Sequence, residues 1–375
     1  MVNPLKKLMD LFGRGGKSVI GVDIGSSSIK IVQLRRKGGK AILETYGELA
    51  LGPYAGLEIG RATNLPADKL GAVLTDLIRE SNVTTRLAGM SIPTGSSLVS
   101  LIELPALDER QLAQIIPLEA RKYIPVPVSE VALDWWVIPR EEGQSAYIEQ
   151  APGGGGVQKG KMVDVLLVAI LNDVLAKYRD IVNRAALDCS FFEIEIFSTI
   201  RAVLEQDIAP VLIFDMGAAS TKLSIVERGI VRGSHTVNRG SQDITLAISR
   251  ALNLAVAEAE KLKRTIGLNA SGDERIVNEV SVSVLQFVFA EANRFLQGFQ
   301  RKYNKSVSKV VLTGGGSTLK GLEPLAKSSF STPVSIADPF ERILAPAFLE
   351  KVLKEVGPEF SVALGLALRR IHEVE

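Results

Sequence analysis

The chain has 375 residues, 46% of them hydrophobic and 6% aromatic. That is too much for one small core and too apolar for a disordered chain, so a globular α/β protein of two lobes is predicted. Lys and Arg number 44 against 42 Asp and Glu, and this near balance argues against a dedicated nucleic-acid binder.

Cys189 has no second cysteine to pair with, which fits a reducing compartment. His235 and His372 have no Cys or His neighbour in sequence, so no structural zinc site is expected. The longest apolar run, around 163–171, is about half of the ~20 residues a bilayer demands. The N-terminus lacks the sustained apolar stretch of a signal peptide. A cytoplasmic protein is therefore expected.

Residues 1–17 read as a separate tail. Leu5, Leu8, Met9 and Phe12 fall on one helical face, with Lys6, Lys7 and Asp10 off it. A frayed terminus and a short docking helix for a partner or membrane surface both fit this pattern. Strands are predicted at 19–22, 29–34 and 41–51, joined by turns at Gly25 and at "RRKGGK". A helix follows at 67–80 and a strand at 86–92. These elements make a first lobe, 18–92, continued at 172–205.

Between them, 93–171 reads as a small inserted α+β subdomain. It holds a helix at 108–123, a Pro-rich turn, and strands near 133–138 and 163–170. "APGGGGVQKGK" has the composition of a mobile hairpin tip. Helices are then predicted at 172–186, 241–252, 255–266 and 274–303, with a strand at 229–237. The second lobe spans 206–357, with a helical subdomain at 240–305. A C-terminal helix in 358–375 returns to the first lobe.

"GVDIGSSSIKIVQL" and "FDMGAASTKLSIV" share one plan just over half a chain apart. Asp23 matches Asp215, Gly25 matches Gly217, Ser28 matches Ser220 and Lys30 matches Lys222. That spacing is far longer than a solenoid repeat, so a duplicated lobe is predicted. Each copy is a hairpin whose tip exposes backbone N–H groups and hydroxyls, a nest for an anion. The Asp at the end of the first strand makes sense if Mg²⁺ sits between it and phosphates. A single copy reads equally as an ordinary hairpin. Two copies in register are placed to clamp one polyphosphate.

"VVLTGGGSTLKGL" adds a strand ending in Gly314, Gly315 and Gly316, with Ser317 placed to cap the next helix. The glycines let a flat ring or ribose approach the backbone, or form a simple loop. In "AEKLKRTIG", Glu260 and Lys263 share a helix face. They suit a ribose and a phosphate, or a surface salt bridge.

This ordered set resembles the actin, sugar kinase and chaperone ATPase superfamily. With "LEARKYIPVPVSEVALDWWVI" added, the chain resembles the PilM family of actin-like type IV pilus assembly proteins, over nearly everything after Gly16. The resemblance implies an actin-like, ribonuclease H-like two-lobed fold that binds ATP with Mg²⁺. It implies that Asp23 and Asp215 face the metal. Gly25, Ser26, Ser27, Ser28 and Lys30 would hold phosphates from one side, and Gly217, Ala218, Ala219, Ser220 and Thr221 from the other. Gly314 to Ser317, Glu260 and Lys263 would hold the adenosine, with Gly240 beside the ribose. Glu193 and Glu195 fall where the superfamily orients the attacking water, but read equally as edge charges. Alanines at 218 and 219, where more active relatives place glycine or polar residues, imply slow hydrolysis.

The resemblance further implies a partner. An apolar groove at the insertion would take the N-terminal cytoplasmic segment of PilN, a membrane protein, and tether the chain peripherally to the inner membrane only through it. Self-association into a ring or short filament is the alternative use of the insertion. An FtsA-like divisome protein and a sugar or acid kinase are the competing readings.

Overall fold

The computed structural model describes residues 16–138, 162–270 and 272–374. The tail helix pattern and the glycine-rich "APGGGGVQKGK" lie outside these residues.

The first sheet holds β1 (Ser18–Ile24), β2 (Ser28–Lys37), β3 (Lys40–Ala50), β4 (Leu87–Ile92) and, later in the chain, β8 (Asp188–Ile194), in the order β3-β2-β1-β4-β8. β1 pairs antiparallel with β2 and parallel with β4. The second sheet holds β9 (Val211–Met216), β10 (Thr221–Glu227), β11 (Ile230–Val237), β12 (Lys309–Thr313) and β13 (Val334–Ile336), in the order β11-β10-β9-β12-β13. The plan is the same in both: a three-strand meander, then two parallel strands. Asp23 sits opposite Lys30, and Asp215 opposite Lys222. The repeated sentence is thus a repeated half-sheet.

Near-continuous burial along β1 and β9 follows from helices on both faces. On the first sheet, α1 (Ala67–Glu80) and α3 (Asn172–Arg184) bring Val73, Leu74, Ile181 and Val182 against Ile20 and Val22. On the second sheet, α5 (Ser241–Leu252) and α7 (Arg275–Tyr303) bring Ile248, Leu285 and Phe289 against Leu212 and Phe214. The inner faces are covered by α4 (Glu195–Val203) and α10 (Ser361–Glu373). Ile196 of α4 packs with Ile213 and Val311 of the second sheet. Ala363, Leu364 and Ala367 of α10 pack with Val19, Val32 and Leu34 of the first. The C-terminal helix thus lies on the first lobe.

α4 and α10 cross between the lobes with no room for a side chain. A Cβ on Gly365 would fall 1.9 Å from the Ser198 carbonyl oxygen. A buried ion cluster locks this crossing. Glu193 accepts from both Nη atoms of Arg201, from Arg369 at 2.8 Å, and from the Ser198 hydroxyl. Arg201 also donates to the Gly365 carbonyl at 2.9 Å.

The insertion is a three-stranded antiparallel sheet of β5 (Ser97–Pro105), β7 (Met162–Leu171) and β6 (Val131–Ile138), in that spatial order. α2 (Glu109–Ala120) covers one face, with Leu112 and Ile116 against Ile102 and Leu167. Asp108 caps it through a capping box with Gln111. The other face rests on α4 and the second lobe: Val168 joins the Ile196 cluster, and Trp136 meets Phe197 edge-on at 6.5 Å. Arg232 of β11 reaches Asp164 of β7 at 3.6 Å. No helix among the described residues is long and apolar enough to cross a membrane.

Candidate nucleotide cleft

The two hairpins close the same way. Gly25 N–H donates to the Ser28 carbonyl at 3.0 Å, and Gly217 N–H to the Ser220 carbonyl at 3.0 Å. Their tips face each other across a cavity of about 710 Å³ between the lobes. That volume lies within the roughly 300–1,000 Å³ of small-molecule sites.

One wall carries Asp23, Gly25, Ser26, Ser27, Ser28 and Lys30, and the opposite wall carries Asp215, Gly217, Ala218, Ala219 and Ser220. Gly314, Gly315, Gly316, Glu260 and Lys263 also line the cavity. Gly314 has φ +80, and a Cβ there would lie 2.2 Å from Asp215 Oδ1. Its bare backbone lets the glycine turn sit directly against the acid.

Four of the residues singled out above stand apart from the lining. Thr221 is buried, and its hydroxyl donates to the Arg239 carbonyl at 2.9 Å. Gly240 is the N-cap of α5, its N–H donating to Asp243 at 2.8 Å. Ser317 caps no helix. Its hydroxyl donates back to the Gly314 carbonyl at 2.7 Å, and the next helix, α8 (Leu322–Ser329), starts after Gly321. It therefore ties down the glycine turn. Glu193 faces α10 with its oxygens on Arg201 and Arg369, so it is a fastener of the helix crossing, not a group in the cleft.

Glu195 does line the cleft. One oxygen accepts the Thr94 N–H at 2.6 Å and the other meets Lys222 Nζ at 2.7 Å. Lys222 also lies 3.9 Å from Asp215. Burial works against the charge of Lys222, but Glu195 and Asp215 outweigh it and hold its pKa above the usual range. On the facing wall Lys30 donates to Ser28 Oγ at 2.6 Å and pairs with Glu48 at 2.9 Å. Burial opposes its charge too, and Glu48 and Glu359 more than offset it.

The carboxylates outnumber these two lysines. Burial, then the Glu195 charge, pushes Asp23 up to about 6, despite the Ser91 hydroxyl donating to it at 2.7 Å. Burial also raises Asp215. Buried acids held away from their charged form are short of positive charge. That fits a divalent cation. Among the described residues no cluster of three or more His, Cys, Asp or Glu side chains could hold a metal ion. An ion here would rest on one or two carboxylates, waters and a ligand's phosphates, as Mg²⁺ does.

Glu260 is engaged three ways, by Lys263 at 2.7 Å, Arg264 at 2.6 Å and the Thr245 hydroxyl at 2.6 Å. Burial pulls Lys263 below the ordinary lysine range, against the pull of Glu260. The pair is a buried, preorganised unit and not a surface bridge. Glu48, Arg264 and Glu359 line the cleft as well and belong to no short motif. Lys222 was legible as the counterpart of Lys30 in the repeat.

The profile of the family "Type IV pilus assembly protein PilM" matches residues 21–371. The chain belongs to the PilM family. A structure of a PilM–PilN type IV pilus biogenesis complex superposes with a TM-score of 0.77 at 26% identity, covering 94% of this chain and 98% of that one. The cell division protein FtsA of Pseudomonas aeruginosa is 23% identical over 95% of this chain and 89% of its own length. MreB 5 of Spiroplasma citri, bound to AMPPNP, shares the fold at TM-score 0.50 and 11% identity, covering 95% and 97%. The fold is actin-like, as the resemblance of the ordered motifs implied. PilM membership places the chain among pilus assembly proteins, ahead of the divisome and kinase readings.

Proposed function

We propose that the chain is an ATP- and Mg²⁺-binding scaffold of the type IV pilus machine that captures the N-terminal cytoplasmic peptide of PilN. The observation carrying the nucleotide reading is the pair of hairpin tips, closed by the same backbone hydrogen bond, that face each other across one cleft. Ser26 to Ser28 and Ser220 would supply hydroxyls and N–H groups to phosphates, with Lys30 and Lys222 as counter-charges. Mg²⁺ would rest near Asp23 and Asp215 and neutralise phosphate charge. Gly314 to Gly316 with Glu260 and Lys263 would hold the nucleoside.

Turnover should be slow. Water attack needs a residue that orients the water, and Glu195 is the candidate that lines the cleft. Both oxygens of Glu195 are occupied by Thr94 N–H and Lys222. Steady-state phosphate release is expected well below the roughly 1–100 s⁻¹ of kinases. Kinase-like turnover by the isolated protein would contradict this. Nucleotide then acts as a conformational ligand, shifting the lobes to the extent that it binds one arrangement better.

For the peptide, the insertion offers exposed apolar side chains: Trp136 at 49% and Leu118 at 57%, with Tyr123 and Val137. β6 is an edge strand, and an extended peptide can add to it and seat alternate side chains. The solved PilM–PilN complex supports PilN as the partner. Titration of a PilN N-terminal peptide should change Trp135 and Trp136 fluorescence with matching calorimetric heat. Trp136→Ala should weaken binding at least about tenfold. Undiminished affinity in that variant would move the site off the insertion.

A further inference from the structure

The connection from β3 to α1, residues 51–66, borders the cleft: Leu51, Gly60, Thr63 and Leu65 line the cavity. Both ends of its loop hang from the tip of the first hairpin. The Leu51 N–H donates to the Ser27 carbonyl at 2.8 Å, and the Thr63 N–H donates to the Ser26 carbonyl at 2.8 Å. Side chains fasten the loop further to the first lobe. The Tyr54 hydroxyl donates to Asp76 of α1 at 3.0 Å, and Lys177 of α3 donates to the Leu65 carbonyl at 3.0 Å.

The same loop reaches the second lobe. The Ala62 N–H donates to Gln242 Oε1 at 3.0 Å. Gln242 stands in the first turn of α5, and its own N–H donates to the Ala218 carbonyl at 3.0 Å, in the tip of the second hairpin. Two residues before Ala62, Gly60 lies against the Glu260 carboxylate. It has φ +87, and a Cβ there would fall 2.7 Å from Glu260 Cδ. Glu260 is not free to swing aside, because Lys263, Arg264 and Thr245 all hold it. A path of hydrogen bonds and chain thus runs from one hairpin tip to the other, through Ser26, Thr63, Ala62, Gln242 and Ala218.

We propose that residues 51–63 and Gln242 form a latch across the cleft, with Gln242 as the positioning residue that holds the two hairpin tips together and sets how fast nucleotide enters and leaves. The proposal rests on the nucleotide reading of the cleft. The loop is fastened to the first lobe at several points, so when the lobes part it stays with that lobe. The bond that must break is the one from Ala62 to Gln242. Gating by such a loop changes rates without touching the bound molecule. The latch is built from protein groups alone and needs no ligand, so it acts on the empty and the filled cleft alike. Weakening it therefore speeds entry and release together and leaves affinity nearly unchanged. A general loosening of the site would speed release alone.

The test measures association and release of radiolabelled Mg²⁺–ATP by the full chain in rapid filtration. Gln242→Ala should raise both rates about fivefold, the worth of one hydrogen bond, and change Kd by less than about twofold. Gln242→Glu keeps an acceptor oxygen for the Ala62 N–H and should release at close to the wild-type rate. Gly60→Ala should speed release at least as much as Gln242→Ala, since the positive φ and the Glu260 carboxylate both push the loop away. Hydrogen exchange over residues 57–64 reads the latch without nucleotide. Gln242→Ala should speed exchange there and leave β1 and β9 as protected as in the wild type. Unchanged rates in Gln242→Ala, faster release with unchanged association, or unaltered exchange over 57–64 would overturn the latch. No binding of ATP by the wild-type protein would instead overturn the nucleotide reading, and the proposal with it.

Discussion

Asp215→Asn is expected to weaken Mg²⁺–ATP binding by about a hundredfold or more, while leaving metal-free ATP binding unchanged or improved. The two signs come from one charge. Asp215 is buried at the end of β9, beside the Gly314 turn and 3.9 Å from Lys222. Burial already raises its pKa, so its negative charge is poorly compensated. Without a cation, that charge repels a polyphosphate. With Mg²⁺ present, it becomes one of the few protein oxygens that can anchor the ion. The amide keeps the shape and removes the charge. A hundredfold loss corresponds to about 2.7 kcal/mol, within the range for a charged contact out of bulk water. Calorimetry with ATP in magnesium and in chelator reads both signs. Equal affinity of wild type and variant in magnesium would remove Asp215 from the metal reading. Weaker metal-free binding in the variant would show that the carboxylate helps hold the nucleotide by itself.

The lobes were legible because the duplication preserved chemistry as well as pattern. Asp-x-Gly, small residues and Lys survive in both copies, and their strands are long and apolar. Helices α1 and α5 were legible in the sequence with the boundaries observed, α1 from its spacing together with Asn64 and Asp68 near its start. The misread residues are those whose roles depend on distant parts of the chain. Ser317 looked like a cap because it follows a strand and a glycine turn. It instead bonds back to Gly314, since four more residues, 318–321, precede the start of α8 at Leu322. Glu193 and Glu195, two residues apart, would share a face of one strand, but β8 ends at Ile194 and α4 starts at Glu195, so they turn to different partners. One meets Arg201 and Arg369 and the other meets Lys222. No local pattern distinguishes them. Glu48, Arg264 and Glu359 come from three separate segments, and only the closed fold brings them to one cleft.

Gly365→Ala is expected to destabilise the fold by about 3 kcal/mol or more, although alanine is the better helix former. The two effects can be weighed. In an exposed helix interior the change would gain up to about 1 kcal/mol. Here the new Cβ would fall 1.9 Å from the Ser198 carbonyl oxygen and 2.5 Å from its carbon. Both are backbone atoms in α4, so no side chain can turn aside. Relief requires α4 and α10 to part, and that strains the clamp that Arg201 makes on Gly365 and Glu193. Overpacking of this kind costs about 1–3 kcal/mol where neighbours can adjust, and more where they cannot. Gly298 supplies the contrast. It also lies inside a helix, α7, but an added Cβ there meets nothing within 4 Å. Gly298→Ala should therefore stabilise by a few tenths to about 1 kcal/mol. Denaturant melts of the two variants beside the wild type should move in opposite directions. If Gly365→Ala is neutral or stabilising, the helices are not locked in contact. The crossing between the lobes would then be a loose joint, and nucleotide could not transmit a change of cleft geometry through it.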